Sequence, residues 1–258
     1  MKNNAYRLGC DIGGTFTDFV LVNDQTGEFQ THKCLTTPSD PSTAVAEGVR
    51  RLELDAPGFM AYTDEFIHGT TLVINAIIER KGARTGLMTT QGFKDVLELG
   101  RELRYDAYDI FADYPEPLVP RFLRKELAER VASDGRVLLP IQAEEIAVVL
   151  SQLLESQIES LAVCLLNSYE NPIHEKIIKD EIERLAPELS LSTSFEVLPQ
   201  IREYERTCTT VTNAYVKPIT SKYLEKLSSR LVALGFKGKL FIMLSSGGIT
   251  SIETARKF

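Results

Sequence analysis

Residues Asp11 to Asp18 read D-I-G-G-T-F-T-D directly after the strand-like run Tyr6 to Cys10, and the chain then continues as apolar, β-branched strand sequence from Phe16 to Val22. A glycine pair between two strand patterns makes a hairpin. It excludes a Walker-type loop, which needs a lysine after the glycines and then a helix. Gly13 and Gly14 carry no Cβ, so the backbone is free to take positive φ and to bring amide N–H groups close to an anion. Thr15 and Thr17 add hydroxyl donors, while Asp11 and Asp18 supply hard oxygens suited to a hydrated Mg2+ or another divalent ion. The octapeptide reads as a grip on nucleotide phosphate, with a plain hairpin turn closed by a glycine pair as the alternative.

Composition narrows the partners. A chain of 258 residues buries about three quarters of its unfolded surface. With 43% hydrophobic and 25% charged residues it has the make-up of an ordinary globular chain. The formal charge of −7 and the lack of a basic run argue against a nucleic-acid binder. The densest basic patch, Arg121 to Lys125, reads as solvated surface. No apolar stretch follows Met1 and no 18-residue apolar run occurs, so neither secretion nor membrane spanning is expected and the cytoplasm is the default. Cys10, Cys34, Cys164 and Cys208 are scattered without a C-x-x-C pair, as reduced packing residues would be.

Three strand patterns open the chain, at Tyr6–Ile12, Phe16–Asn23 and Glu28–Leu35, joined by short turns as an antiparallel meander. Asp40 and Pro41 then start a helix with Val45, Val49 and Leu52 at helical spacing. A second α/β unit follows: a short strand Glu65–His68, a helix Thr70–Arg80 stopped by Gly82, and a strand Arg84–Thr89. From Gly100 to Glu126, with Pro115, Pro117 and Pro120, periodicity lapses into a long loop. Alternation resumes with a helix Ala143–Gln157, a buried strand Leu161–Leu166, a helix Pro172–Leu185 and a strand Leu189–Val197. A helix-rich stretch Arg202–Leu234, a strand Lys239–Leu244 and a S-S-G-G turn at Ser245–Gly248 carry the chain onward.

A strand, a Gly-rich turn preceded by Asp and containing Thr, and a second strand resemble the first phosphate motif of the actin, Hsp70 and sugar-kinase superfamily. Two such half-sites close on ATP there, and the order of three strands, helix, strand and helix is how its ribonuclease-H-like domains begin. Further motifs narrow the resemblance. They are H-G-T-T at His68–Thr71, N-A-I-I-E-R-K-G-A-R-T-G-L at Asn75–Leu87, T-T-Q-G-F-K-D-V-L-E-L-G-R at Thr89–Arg101, P-L-V-P-R at Pro117–Arg121, R-E-Y-E-R at Arg202–Arg206 and N-A-Y-V at Asn213–Val216. In this order the chain resembles the hydantoinase A / 5-oxoprolinase family over nearly its whole length.

The resemblance implies an α/β fold with a ribonuclease-H-like N-terminal lobe, a mixed sheet with helices, and a second lobe missing from this chain. It implies a domain at 5–198 carrying the phosphate hairpin, and the beginning of a second region at 199–258. The implied activity is ATP-dependent, opening a five-membered cyclic amide such as a hydantoin or 5-oxoproline, or carboxylating a ketone, with a B-type subunit as partner. Such subunits carry a second phosphate loop, so the missing C-terminal half of its own subunit is an implied partner too. The chain alone is then expected not to turn over ATP. A sugar kinase shares D-I-G-G-T but usually adds E-x-G-H and a Cys-rich zinc motif, which are absent here. A non-catalytic interaction domain is the other rival.

Asp11 and His68 are the catalytic candidates. Gly13, Gly14, Thr15, Thr17, Asp18, Gly69, Thr70, Thr71 and Arg101 are the nucleotide-binding candidates, and Asp11 and Asp18 would hold the metal. His68 ends a strand where a helix N-terminus begins, so it is either a site residue or a buried structural imidazole. His32 and His174 read as surface residues. Arg101 and Arg104 border the irregular loop and suit a carboxylate or phosphate. Arg202, Glu203, Glu205 and Arg206 form either a functional cluster or a salt-bridged helix face. Cys10 stands where the family commonly has an aliphatic residue, and Asn167 where it often has His.

Overall fold

The computed structural model describes residues 6–101, 108–109, 111 and 115–257. Its elements run β1 (Tyr6–Ile12), β2 (Phe16–Asn23), β3 (Phe29–Leu35), α1 (Pro41–Asp55), β4 (Thr63–Thr70), α2 (Leu72–Ile78), β5 (Thr85–Thr90) and α3 (Val96–Leu99). They continue β6 (Arg124–Leu127), β7 (Arg130–Val131), β8 (Val137–Leu139), α4 (Ala143–Glu155), β9 (Ser160–Cys164), α5 (Ile173–Leu185), β10 (Ser190–Thr193) and α6 (Ser194–Val197). The last are α7 (Glu203–Ala233), β11 (Lys239–Met243), β12 (Ile249–Ser251) and α8 (Ile252–Lys257). The chain divides into two units, one of residues 1–81 with 219–258 and one of residues 82–218.

The first unit holds a six-stranded mixed sheet in the order β12-β11-β4-β1-β2-β3. β1, β2 and β3 form the antiparallel meander, and β4 and β11 run parallel to β1 and β4 in turn. This three-strand meander followed by parallel strands is the ribonuclease-H-like arrangement. The alternating pattern of β1 and β2 places Leu8, Cys10, Phe19 and Leu21 on one face. There they pack with Val45 and Val49 of α1, Phe66 of β4, and Leu227 and Leu231 of α7. Each such fully buried side chain contributes about 1.5–3 kcal/mol.

The second unit is a four-stranded, all-parallel sheet in the order β10-β9-β5-β6. Leu87, Met88, Leu161, Ala162 and Val163 are buried at its centre under α4 and α5. The strand expected at Arg84–Thr89, β5, is the first of this second sheet. Two expectations change here. The strand expected over Leu189–Val197 ends at Thr193, because Glu196 accepts the Thr193 hydroxyl at 2.9 Å and a helical turn begins. The irregular window contains β6, hidden from pattern reading by its charged residues Arg124, Lys125 and Glu126. Residues 102–107, 110 and 112–114 of that window, Arg104 among them, lie outside the described residues.

Candidate functional site

The register of the first sheet sets the site. Asp11 of β1 pairs with Asp18 of β2, Asp18 with Lys33 of β3, and Asp11 with Gly69 of β4. A single row, Gly69, Asp11, Asp18 and Lys33, therefore crosses four strands on the face opposite the core. The Lys33 ammonium donates to Asp18 at 2.6 Å and lies 4.8 Å from the centre of the Phe16 ring. Gly69 has a steric reason: a Cβ there would stand 2.9 Å from Asp11 Oδ1, so only glycine leaves the carboxylate its place across β4.

The turn is closed by the Gly13 N–H donating to the Phe16 carbonyl at 2.9 Å. The Thr36 hydroxyl donates to the Gly13 carbonyl at 2.9 Å. Its proton being used there, the Thr17 hydroxyl donates to Thr36, also at 2.9 Å. Thr17 is fully buried and shapes the loop from beneath. Neither Gly13 nor Gly14 takes positive φ, contrary to expectation. Gly13 provides space, since a Cβ there would meet the Phe16 carbonyl at 3.2 Å, whereas a Cβ on Gly14 would meet nothing nearer than Asn75 Nδ2 at 4.0 Å. Gly14 and Thr15 are exposed, and among the described residues their N–H groups donate to no protein acceptor. Two consecutive amides with no protein acceptor stand at the exposed tip, where they are available to an anion.

Thr70 and Thr71 lead into α2. The Thr70 hydroxyl accepts the Leu72 N–H at 3.1 Å, and the Thr71 N–H donates to the Ile12 carbonyl at 3.3 Å, tying this segment to the end of β1. The Asn75 amide donates to the Thr71 hydroxyl at 3.1 Å. Between the turn, the segment after β3 and the start of α2 lies a cavity of 240 Å3, lined by Gly13, Gly14, Thr36, Thr70, Thr71 and Asn75 among others. Asp11 and Asp18 are the carboxylates of this face that could hold a hydrated divalent ion, Asp18 being held through both oxygens by Lys33 at 2.6 and 2.8 Å. Among the described residues no group of three or more His, Cys, Asp or Glu forms a complete metal cage.

His68 faces the other way. Its partner in register is Cys10, so it sits on the core face, fully buried, with Nε2 2.7 Å from the Tyr223 hydroxyl. Burial pushes its pKa down to about 4, the Cys10 carbonyl acting in the opposite direction. No hydrogen bond closes on Nδ1. His68 is thus a fully buried imidazole.

In the second unit Arg101 pairs with Glu205, both partly exposed. Arg206 is not part of a solvated salt-bridged face: it is 1% exposed, donates to the carbonyls of Leu165 and Gln200, and lies over the Tyr169 ring. His174 is likewise buried and not a surface residue, with Nδ1 2.6 Å from Glu129, whose other oxygen accepts the Thr90 hydroxyl. Asn167 takes a left-handed turn at φ 57° and donates to the Val131 carbonyl at 2.9 Å. The four cysteines are free thiols. Pattern reading passed over Lys33, Thr36 and Asn75. Lys33 was readable from strand pairing, since a meander places it beside Asp18; Thr36 and Asn75 depend on loop and helix placement that carries no period.

The sequence matches the family model described as hydantoinase/oxoprolinase N-terminal region over residues 7–186, and that described as hydantoinase/oxoprolinase over 206–258. The chain belongs to the hydantoinase/oxoprolinase family. It is 36% identical to the caprolactamase subunit alpha of Pseudomonas jessenii, across 96% of this chain and 36% of that one. The crystal structure of the ATP-dependent caprolactamase from the same organism superposes with a TM-score of 0.87 at 36% identity, over 95% of this chain and 36% of that chain. A nucleotide-free acetone carboxylase structure, from work on ATP-dependent acetone carboxylation, superposes with a TM-score of 0.85 at 27% identity, over 98% and 38%. The chain spans about a third of the length of these relatives. Among the described residues, no helix is long and apolar enough to cross a membrane.

Proposed function

We propose that this chain supplies the nucleotide-gripping hairpin of an ATP-dependent enzyme that opens a cyclic amide. The observation that carries this reading is the pair of free amides at Gly14 and Thr15 beside Asp11 and Asp18. An unstrained lactam carbonyl is a poor electrophile. Transfer of the γ-phosphoryl group of ATP to the carbonyl oxygen, with ADP leaving, makes the carbonyl carbon reactive. Water then adds at that carbon, the ring C–N bond breaks as the nitrogen takes up a proton and leaves as an amine, and a second water hydrolyses the resulting acyl phosphate to carboxylate and phosphate. The protein's part is positioning and charge neutralisation.

In this reading the Gly14 and Thr15 amides hold phosphate oxygens, Gly13 closes the turn that presents them, and Asp11 with Asp18 anchors the hydrated divalent ion, Mg2+ first, which neutralises the phosphates. Thr17, Gly69, Thr70 and Thr71 hold these groups in place. Arg101, already facing a carboxylate, is suited to an anionic group of nucleotide or substrate. The name of the caprolactamase relative supports the amide over the ketone. The two matched regions support a family-level division near residues 5–198 and 199–258, distinct from the two compact units of the fold, which divide at 81/82 and 218/219. A B-type subunit is the proposed partner and the cytoplasm the proposed compartment. A chain with one such hairpin holds half of a two-sided clamp, so we expect it to bind Mg-ATP weakly and not to turn it over.

Calorimetric titration of Mg-ATP into the chain tests the reading. Saturable binding, weakened about 10- to 150-fold by Asp11→Ala, is expected from the loss of a charge-assisted contact of about 1.5–3 kcal/mol. Binding that Asp11→Ala leaves unchanged would refute it.

A further inference from the structure

The cavity beside the hairpin tip measures 240 Å3. Pockets that engulf drug-sized ligands run to about 300–1,000 Å3, so this one has room for a compact molecule and not for a whole nucleotide. Ile12, Pro38, Leu72 and Ala76 give it apolar walls. The two charged residues lining it, Glu79 and Lys81, neutralise each other at 2.6 Å. This lining suits an uncharged, largely apolar occupant.

One polar group is built to orient that occupant. The Asn75 carboxamide spends a single N–H on the Thr71 hydroxyl, which is itself 3.4 Å from the Ile12 carbonyl as its donor. Its Oδ1 and second N–H make no hydrogen bond among the described residues. A Cβ on Gly14 would stand 4.0 Å from Asn75 Nδ2, so this group lies next to the tip with its free amides.

We propose that the cavity seats a compact cyclic amide, paired edge to edge with Asn75. The ring N–H donates to Oδ1, and the ring carbonyl accepts from Nδ2–H. A small ring holds its amide cis, with N–H and C=O on one edge, and a carboxamide offers the matching edge. A linear trans amide presents the two groups on opposite sides and makes one bond at a time. The proposal rests on the hairpin being the nucleotide grip: the ring carbonyl oxygen then lies beside Gly14, where it meets the terminal phosphoryl group.

The test is a heteronuclear NMR titration of the chain with 2-pyrrolidinone and, separately, N-methyl-2-pyrrolidinone, with Mg-ATP titrated in parallel. The expected result is saturable shifts of the Asn75 side-chain amide and the Gly14 amide with 2-pyrrolidinone. Affinity should fall at least about tenfold for the N-methyl compound, which has no N–H to donate, an energetic loss of about 1.4 kcal/mol. Asn75→Leu should abolish lactam binding while Mg-ATP still shifts Gly14 and Thr15. Asn75→Asp, which keeps the size and removes the donor, should weaken it about tenfold if the leucine variant does not fold. Equal binding of both lactams, unchanged affinity in the variants, or no lactam shifts where Mg-ATP shifts the tip would overturn the seat and leave the nucleotide reading standing. Silence to both ligands would overturn both.

Discussion

Replacing Gly69 with alanine separates folding from ligand binding at this site. The new Cβ would stand 2.9 Å from Asp11 Oδ1 and 3.6 Å from its Cγ, whereas ordinary contact begins at 3.4 Å, so the carboxylate must withdraw by about 0.5 Å. The nearest atom is the end of a flexible side chain, and a rotamer displaced to this extent costs about 0.5–1.5 kcal/mol. Gly69 does not take positive φ, so alanine recovers about 0.4–1 kcal/mol by restricting the unfolded chain. Net stability should therefore change by less than about 1 kcal/mol. A displaced Asp11 carboxylate would lose much of a contact of about 1.5–3 kcal/mol, a drop in Mg-ATP affinity of about 10-fold or more. Thermal unfolding and calorimetric titration on one sample read both quantities. Unchanged Mg-ATP affinity in a folded Gly69→Ala protein would refute the claim that this glycine places Asp11 for binding.

Gly238→Ala is the contrasting case: its Cβ would meet the backbone carbonyls of Asp64 and Thr63 at 2.3 and 2.4 Å, so strands must shift, and a loss of about 1–3 kcal/mol or more is expected in chemical denaturation. Tyr223→Phe removes the partner of His68 Nε2 and should cost about 1–3 kcal/mol while leaving Mg-ATP affinity intact. His68 has its folded pKa lowered to about 4 from 6.5, so its stabilising effect is complete above pH 6.5 and is lost as pH falls toward 4. The loss approaches about 3 kcal/mol, and His68→Gln should flatten that part of a stability-versus-pH curve. His174→Leu leaves the buried Glu129 carboxylate with the Thr90 hydroxyl but no imidazole, and a loss of about 1.5–3 kcal/mol should appear in the same denaturation assay. Arg101→Ala breaks an exposed pair with Glu205 and should change stability by less than about 1 kcal/mol.

Local chemistry was readable where it repeats with the period of its own element. The meander, α1, α4 and α5 followed from alternation and helical spacing, and the hairpin between β1 and β2 from its glycine pair. What the sequence withheld depends on which strands become neighbours. Arg84–Thr89 has the same apolar pattern whether it joins the first sheet or opens the second, so strand composition alone did not distinguish them. His68 and Gly69 are adjacent in sequence yet face opposite sides of β4, and only pairing with β1 shows that the glycine serves Asp11 and the histidine the core. His174 and Arg206 have the composition of surface residues, but Glu129 and the carbonyls beyond β9 draw them inward. The cavity wall at Asn75 arises from three segments distant in sequence, and no single stretch announces it.

The most direct test of the nucleotide grip is a backbone amide NMR titration of this chain with Mg-ATP, repeated on Asp11→Ala. Saturable shifts centred on Gly14 and Thr15 are expected, with the Asp11→Ala protein folded and its shifts lost or much weakened. Shifts that leave these two amides untouched, or that persist unchanged in Asp11→Ala, would contradict the grip.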